Sequence, residues 1–279
     1  MRMGIMCIEE AFDCWTIQKK PYDYARFFLE YAESDVKSMV KRSINNPCVI
    51  AWSLGNEIPD TRSSNSSKVL QDPIVTVQNL RNWVREIDTT RPCTLGENGI
   101  YDSTAKLVSN ELDIQGLNYN AYSGYHKSYP NWCLYGSETT SVISSRCVYA
   151  RDDVNYQCSS YDDDKVSWGS YAYKQIDLTM NTDYCAGMFI WTGWDYIGEP
   201  TPFNKYPARS SYFGIIDIAG LPKDAYYLYQ SMWTDKPMCH IVPMDWSQWT
   251  VGEEVNIMVY SNASYVKMYL NGELVGTYN

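Results

Sequence analysis

The sequence predicts an α/β fold built on a parallel sheet, followed by a smaller antiparallel β-sandwich. Three observations carry that prediction. Six short apolar segments recur, each ended by glycine or a polar residue; amphipathic helical stretches lie between or after them; and past Pro237 the pattern changes to strict alternation.

The first apolar segment is "GIMCIEE" from Gly4, which ends on Glu9 and Glu10. From Tyr24 to Ile44 a helix is expected, with Phe28, Ala32, Val36, Met39 and Val40 on one stripe and Asp23 placed to cap it. "CVIAWSLGNE" from Cys48 is the second strand, turning at Gly55 before Asn56 and Glu57. A second helix starts where Asp72 caps and Pro73 takes the first helical position, with Val77, Leu80, Val84 and Ile87 facing inward. "PCTLGEN", "DIQGLNYN", "CLYGSET" and "CAGMFIWTGW" complete the set, and the absence of polar alternation within the six reads as strands covered on both faces. Shorter helices are expected from Ser103, Tyr171 and Lys223. "EEVNIMVYSNASYVKMYLNGELVGTY" then alternates at period two with turns at "SNAS" and "NG", giving three or four strands of a sandwich. The expected domains are residues 1–235 and 236–279.

Composition narrows the chemistry. With 45% hydrophobic residues in 279, the chain can bury the core of one large domain or one and a half. Acidic residues outnumber basic ones by 33 to 23 and no basic stripe is present, so nucleic acid is not an expected partner. No apolar run approaches the ~20 residues that span a bilayer, and "MRMGIMCIEEAF" is too short and too soon acidic for a signal peptide, which favours the cytoplasm and no membrane partner. Nine scattered cysteines form no CxxC pair, and several sit in apolar runs as small core residues, in keeping with a reducing compartment. His126 and His240 have no ligand-spaced partners, which argues against a zinc site or a Ser-His-Asp triad. Asp162, Asp163 and Asp164 lack the alternating spacing of a calcium loop, so Arg151 to Ser170 reads as a solvated loop. No metal and no cofactor are expected.

The polar residues at the strand ends carry the functional signal. Glu9 and Glu10, Asn56 and Glu57, Glu97, Asn118 and Tyr119, Glu138, then Trp191, Trp194 and Asp195 all fall where parallel barrel strands converge on one mouth. One such glutamate alone is more often a surface group or an ion-pair partner, but the coincidence over several strands marks a site. With so little histidine, the chemistry best served is a pair of carboxylates acting on a glycosidic bond, one as proton donor and one as nucleophile. Aromatic rings, abundant here with 10 Trp and 25 Tyr, offer faces for sugar C–H groups.

The segments "NNPCVIAWSLGNE", "YGSET", "IWTGWDYIGEPTPF" and "ARSSYFGIIDIAGLPKDAYYLYQSMW" resemble the barrel domain of the glycoside hydrolase family 2 β-galactosidases, a group that also holds β-glucuronidases and β-mannosidases. The likeness runs from Gly4 to about Trp233, and the segment after Trp233 resembles the immunoglobulin-like domain that often succeeds the barrel. The resemblance implies an incomplete (β/α)8 TIM barrel, strands 3 to 8, then a partial sandwich. It implies Glu57 as acid/base, Glu138 as nucleophile, Asn56 as ligand of the sugar 2-hydroxyl, Tyr119 as hydrogen-bond partner of the nucleophile and Trp191 as the floor of the sugar subsite; Glu10 joins them as a substrate-binding residue.

The implied activity is retaining hydrolysis of terminal β-galactosides, with β-glucuronides or β-mannosides as alternatives, or an inactive carbohydrate-binding remnant. The expected partner is a carbohydrate substrate, and homo-oligomerisation stays open for the full-length protein. Two departures stand out. "EEAFDCWTIQ" contains no histidine to join a glutamate on the magnesium ion that some members hold, and Ser141 stands where many carry a histidine. The opening "MRMGIM" is similar to the interior of a family sequence, so a truncated gene, a fragmentary assembly or an internal start is expected.

Overall fold

The computed structural model describes residues 3–119 and 121–279. Six strands form one sheet in sequence order: β1 (Cys7–Glu10), β2 (Val49–Asn56), β3 (Cys93–Glu97), β4 (Gln115–Asn118), β5 (Leu134–Thr140) and β6 (Cys185–Trp191). The β1–β2, β2–β3, β3–β4 and β4–β5 pairs are all parallel. This is an incomplete (β/α)8 barrel with six of its eight strands, and helices α1 (Ala25–Ser43), α2 (Pro73–Arg85), α3 (Ser103–Asn110), α4 (Tyr122–Ser128) and α5 (Ala172–Met180) fall between strands. Helix α6 (Asp224–Trp233) follows β6. The antiparallel pair of β7 (Cys239–Val242) with β8 (Met258–Ser261), and the hairpin of β9 (Val266–Leu270) with β10 (Glu273–Tyr278), then begin the sandwich.

The chain gathers into two compact units, one comprising residues up to Glu138 with Thr182–Phe189, the other Thr139–Asn181 with Ile190–Asn279. In the first, α1 buries Phe28, Ala32, Val36, Met39 and Val40, as its stripe predicts, against Trp52 and Leu54 of β2, Leu80 and Val84 of α2, and Cys93 and Leu95 of β3. The helix starts one residue later than the sequence suggests. Tyr24 holds the cap position, while the Asp23 carboxylate accepts from the N–H groups of Lys19, Lys20 and Ala25. Asp72 caps α2 through the Ile74 N–H at 2.8 Å, with Pro73 next, as expected.

One buried acid ties this core together. Asp88, 3% exposed, accepts from Trp52 Nε1, Arg91 Nη1 and Thr90 Oγ1, and Arg91 also donates to the carbonyls of Val49 and Ile44. Burial alone would raise its pKa, but the bonds from Thr90, Arg91 and Trp52 outweigh that and hold the carboxyl well below the usual range.

The second unit has its own core of Ile143, Cys158, Val166, Phe203 and Phe213. Here the structure corrects the solvated loop expected at Arg151 to Ser170: Cys158, Ser159, Ser160 and Tyr161 are all buried. Their polar groups are paired off, with Ser160 Oγ donating to Asp224 and Tyr161 Oη to the Asn256 carbonyl. Asp162 caps α5 through the N–H groups of Ala172 and Tyr173, and Asp164 accepts from Arg151. Four sandwich strands form, at the upper end of the expected number, but as two ribbons flanking an apolar groove of about 660 Å³. The β9–β10 turn is the expected "NG", both residues at positive φ (52° and 89°) as a type I′ turn requires. Of the cysteines, Cys14, Cys93 and Cys158 are buried, while Cys48 and Cys185 are only partly so.

Asp88→Asn removes the charge that Arg91 and Trp52 converge on and is expected to cost about 1.5–3 kcal/mol at neutral pH. Because the folded carboxyl is held low, its contribution is fully present above about pH 4, the unfolded value, and disappears as pH falls through the folded one. Urea midpoints of the two proteins should therefore converge in acid; a gap that stays constant down to pH 2 would refute this account.

Candidate active site

The strand-end residues separate into two groups. Glu9 and Glu10 are consecutive on β1 and face opposite ways. Glu9 turns outward to Arg42 and to Ser43 Oγ at 3.1 Å, whereas Glu10 accepts from Ser53 Oγ at 2.7 Å. Glu97, 1% exposed, is consumed by Arg62 at 2.5 Å, Thr61 Oγ1 and the Gly99 N–H. Asp195 pairs with the fully buried Lys223 at 2.7 Å, and Lys223 also donates to the Ser144 carbonyl. Burial pushes Asp195 up and Lys223 down, each opposed by the other's charge. Glu9, Glu97 and Asp195 are thus structural ion-pair members.

Asn56, Glu57, Asn118, Tyr119 and Glu138 converge in the first unit around the end of β4. Asn118, 1% exposed, donates from Nδ2 to Glu57 Oε1 and to Asn56 Oδ1, both at 2.9 Å. Its own Oδ1 accepts from Ser137 Oγ at 2.6 Å. The next residue, Tyr119, donates from its hydroxyl to Glu138 Oε1 at 2.6 Å. Two consecutive side chains therefore each hold one of the two half-buried glutamates.

Backbone geometry makes this possible. Glu57 and Tyr119 sit in the left-handed region at φ 47° and 56°, which turns each out of the strand alternation. The peptide joining Asn56 to Glu57 is gripped at both ends: its carbonyl accepts from Lys19 Nζ at 2.7 Å and its N–H donates to the Gly96 carbonyl at 2.7 Å. Tyr119 N–H in turn donates to the Glu138 carbonyl at 2.9 Å. Two glycines clear the space beneath. A Cβ on Gly96 would lie 2.9 Å from Asn56 Oδ1 and 3.0 Å from Asn118 Oδ1, and one on Gly116 would lie 2.6 Å from Ser137 Oγ and 2.8 Å from the Leu95 carbonyl.

Glu10 stands beside Asp13 and Lys19. Crowding by surrounding protein pushes its carboxyl up, the Ser53 hydrogen bond and Lys19 charge work against that push, and Asp13 adds to it. Lys19, which also pairs with Asp13 at 2.8 Å, puts a cation where a divalent ion would need only lone-pair donors, so this corner does not fit a magnesium ion. Among the described residues no group of three or more His, Cys, Asp and Glu is placed to hold a metal. Trp191 closes β6 in the second unit, half-buried against that unit's core, with its ring 6.0 Å from Tyr196 and nearly perpendicular to it. Ser137 entered the sequence reading only as the serine ahead of Glu138 in "YGSET", and Lys19 and the two glycines carried no signal there.

The model of the glycosyl hydrolases family 2 TIM barrel domain matches residues 22–234. A β-galactosidase from Bacteroides ovatus is 36% identical, covering 99% of this chain and 37% of its own. A putative β-glucuronidase from Formosa agariphila is 30% identical, covering 98% and 28% respectively. The solved structure of a β-glycosidase from Bacteroides vulgatus superposes with a TM-score of 0.80 at 29% identity, over 99% of this chain and 37% of that one. The chain thus spans roughly a third of the length of these relatives.

Gly116→Ala drives a methyl into a backbone carbonyl and is expected to destabilise by about 1–3 kcal/mol. Gly124→Ala, with nothing within 4 Å of its Cβ in α4, should instead stabilise by about 0.5–1 kcal/mol. Equal effects in a paired thermal denaturation would contradict the packing described for the sheet.

Proposed function

The chain belongs to glycoside hydrolase family 2, and from that premise we propose that it is the catalytic part of a retaining β-glycosidase acting on terminal β-galactosides. The observation that carries the reading is the delivery of two carboxylates by adjacent residues, Glu57 on Asn118 and Glu138 on Tyr119. Glu138 attacks the anomeric carbon as Glu57 gives its proton to the leaving oxygen, and the bonding pair departs with that oxygen. Glu57, now anionic, takes a proton from water as it attacks the glycosyl–Glu138 ester, which releases the sugar with retained configuration. The Tyr119 hydroxyl, donating to Glu138 Oε1, orients that carboxylate for attack.

Asn56 reaches the sugar 2-hydroxyl and Glu10 a further hydroxyl. This division of labour goes with the catalytic boundary at residue 235 that the change to period two suggests. Galactoside is preferred because the Bacteroides ovatus relative, with the greater identity, is a β-galactosidase. A glucuronide is the second reading, favoured by the Formosa agariphila relative. Turnover of nitrophenyl galactoside, glucuronide and mannoside by the full-length protein separates these, and binding without hydrolysis of any would identify a carbohydrate-binding remnant.

In the full-length protein, Glu57→Gln should lower kcat/KM about 10²–10⁴-fold for substrates whose leaving group needs a proton. Glu138→Gly should be inactive until azide is supplied and should then yield the glycosyl azide of inverted configuration. Proton NMR of the first-formed sugar from the unaltered enzyme should show retention, in keeping with carboxyl groups ~5–5.5 Å apart. Full activity in Glu138→Gln would overturn the nucleophile assignment.

A further inference from the structure

We propose that Asn118 is a positioning residue of the acid/base step: by occupying Oε1 of Glu57 it leaves the transferable proton to Oε2, and by occupying Oδ1 of Asn56 it turns that amide's N–H groups toward the sugar. The proposal rests on the two-carboxylate reading above and adds to it which oxygen of Glu57 carries the proton, and why.

The hydrogen-bond chain has one consistent polarity. An ionised carboxylate can only accept, so the Asn118 atom 2.9 Å from Glu57 Oε1 must be the amide nitrogen. That nitrogen has two hydrogens, and the second meets Asn56 at 2.9 Å, so Asn56 must present its oxygen there. The Asn118 oxygen is left to the Ser137 hydroxyl, which donates at 2.6 Å. Every assignment follows from the acceptor-only character of Glu57 in its ionised form, the state in which it serves as base. Asn56 then has its Nδ2 hydrogens available for a sugar hydroxyl oxygen.

The same geometry acts in the acid state. A neutral carboxyl carries its hydrogen on one oxygen, and a hydrogen on Oε1 would point at the Asn118 N–H, donor against donor. The proton is therefore held on Oε2. When Glu57 later serves as base, Asn118 still donates to Oε1 and Oε2 receives the proton from water. The amide also has little freedom to rotate away, being 1% exposed, anchored by Ser137 and packed over Gly96.

The test uses the full-length enzyme, with kcat/KM measured against pH on two galactosides, one with a nitrophenyl leaving group and one with an alkyl alcohol that needs protonation. Asn118→Asp is isosteric and sets a second carboxyl beside Glu57. Since a like charge disfavours ionisation, the alkaline limb of the profile should move up by about one pH unit or more. Asn118→Ala should lower kcat on the alkyl galactoside about three- to tenfold more than on the nitrophenyl one, the value of one hydrogen bond. Ser137→Ala, which loosens the anchor alone, should shift the same ratio in the same direction by less.

A structural role only would lower activity on both substrates equally and leave the limb in place, and that result overturns the proposal. If Asn118→Asp fails to fold by circular dichroism, the leaving-group ratio of Ser137→Ala decides: an unchanged ratio overturns the proposal and a shifted one supports it. Glu57→Gln is run alongside. Should it keep the alkaline limb and the leaving-group ratio, the acid/base assignment itself falls; should it abolish both while the Asn118 and Ser137 variants change neither, only the present inference falls.

Discussion

On a β-strand, consecutive side chains point to opposite faces, so a strand ordinarily delivers every second residue to a barrel interior. This site needs adjacent residues on the same side twice, Asn56 with Glu57 and Asn118 with Tyr119. It obtains them by placing Glu57 and Tyr119 in the left-handed backbone region, a departure that costs roughly 1–3 kcal/mol at each residue. The surrounding hydrogen bonds offset that cost. Gly96 and Lys19 hold the Asn56–Glu57 peptide from both ends, and the Glu138 carbonyl holds the Tyr119 amide. The strain and its restraints lie where the polar side chains converge and not in the strands behind.

A second constraint is distance across the sheet. Glu57 follows β2 and Glu138 lies on β5, three strand steps apart, which in a flat sheet would be about 14 Å. A curled sheet shortens the path on its inner face, but only if that face is not filled by side chains. Gly96 and Gly116, on the two intervening strands, leave the space into which the Asn56, Asn118 and Ser137 side chains extend. The β-branched and large apolar residues that would suit these strands for stability are thus excluded at two positions by the amide row above them. Apolar weight is carried on the other face, where Trp52, Leu54, Leu95 and the helices α1 and α2 form the core.

Much of this was legible in the sequence because it rests on local pattern. The α1 stripe from Phe28 to Val40, the Asp72–Pro73 start of α2 and the "NG" turn of the last hairpin each follow from a few neighbouring residues. Strand ends bearing Asn56, Glu57, Tyr119 and Glu138 were visible for the same reason. What escaped depends on partners far away in the chain. Nothing local separates Glu97, which is neutralised by Arg62, from Glu57, which is not, or Glu9 from Glu10. Helix α4 is short, contains Gly124 and has no side-chain cap, so its periodicity is too weak to register. The run from Cys158 to Tyr161 looks polar, yet it is buried because Ser160 and Tyr161 are satisfied by Asp224 and Asn256, residues some 65 and 95 positions downstream. Positive φ at Glu57 and Tyr119 left no trace either, since neither is a residue that favours turns.

The adjacency of Asn118 and Tyr119 has a consequence for how such a chain can change over time. Loops between strands absorb added or lost residues with little penalty, because their ends are fixed by the strands and not by their length. The end of β4 has no such freedom. Adding or deleting one residue ahead of Asn118 would rotate the amide off Glu57 and the phenol off Glu138 together, so both carboxylates would lose their supports in one event. The two glutamates are thus locked in phase by a single peptide step of about 3.8 Å. A change in the length of β4 ahead of Asn118 therefore disturbs both carboxylates, whereas a change in a loop need disturb neither.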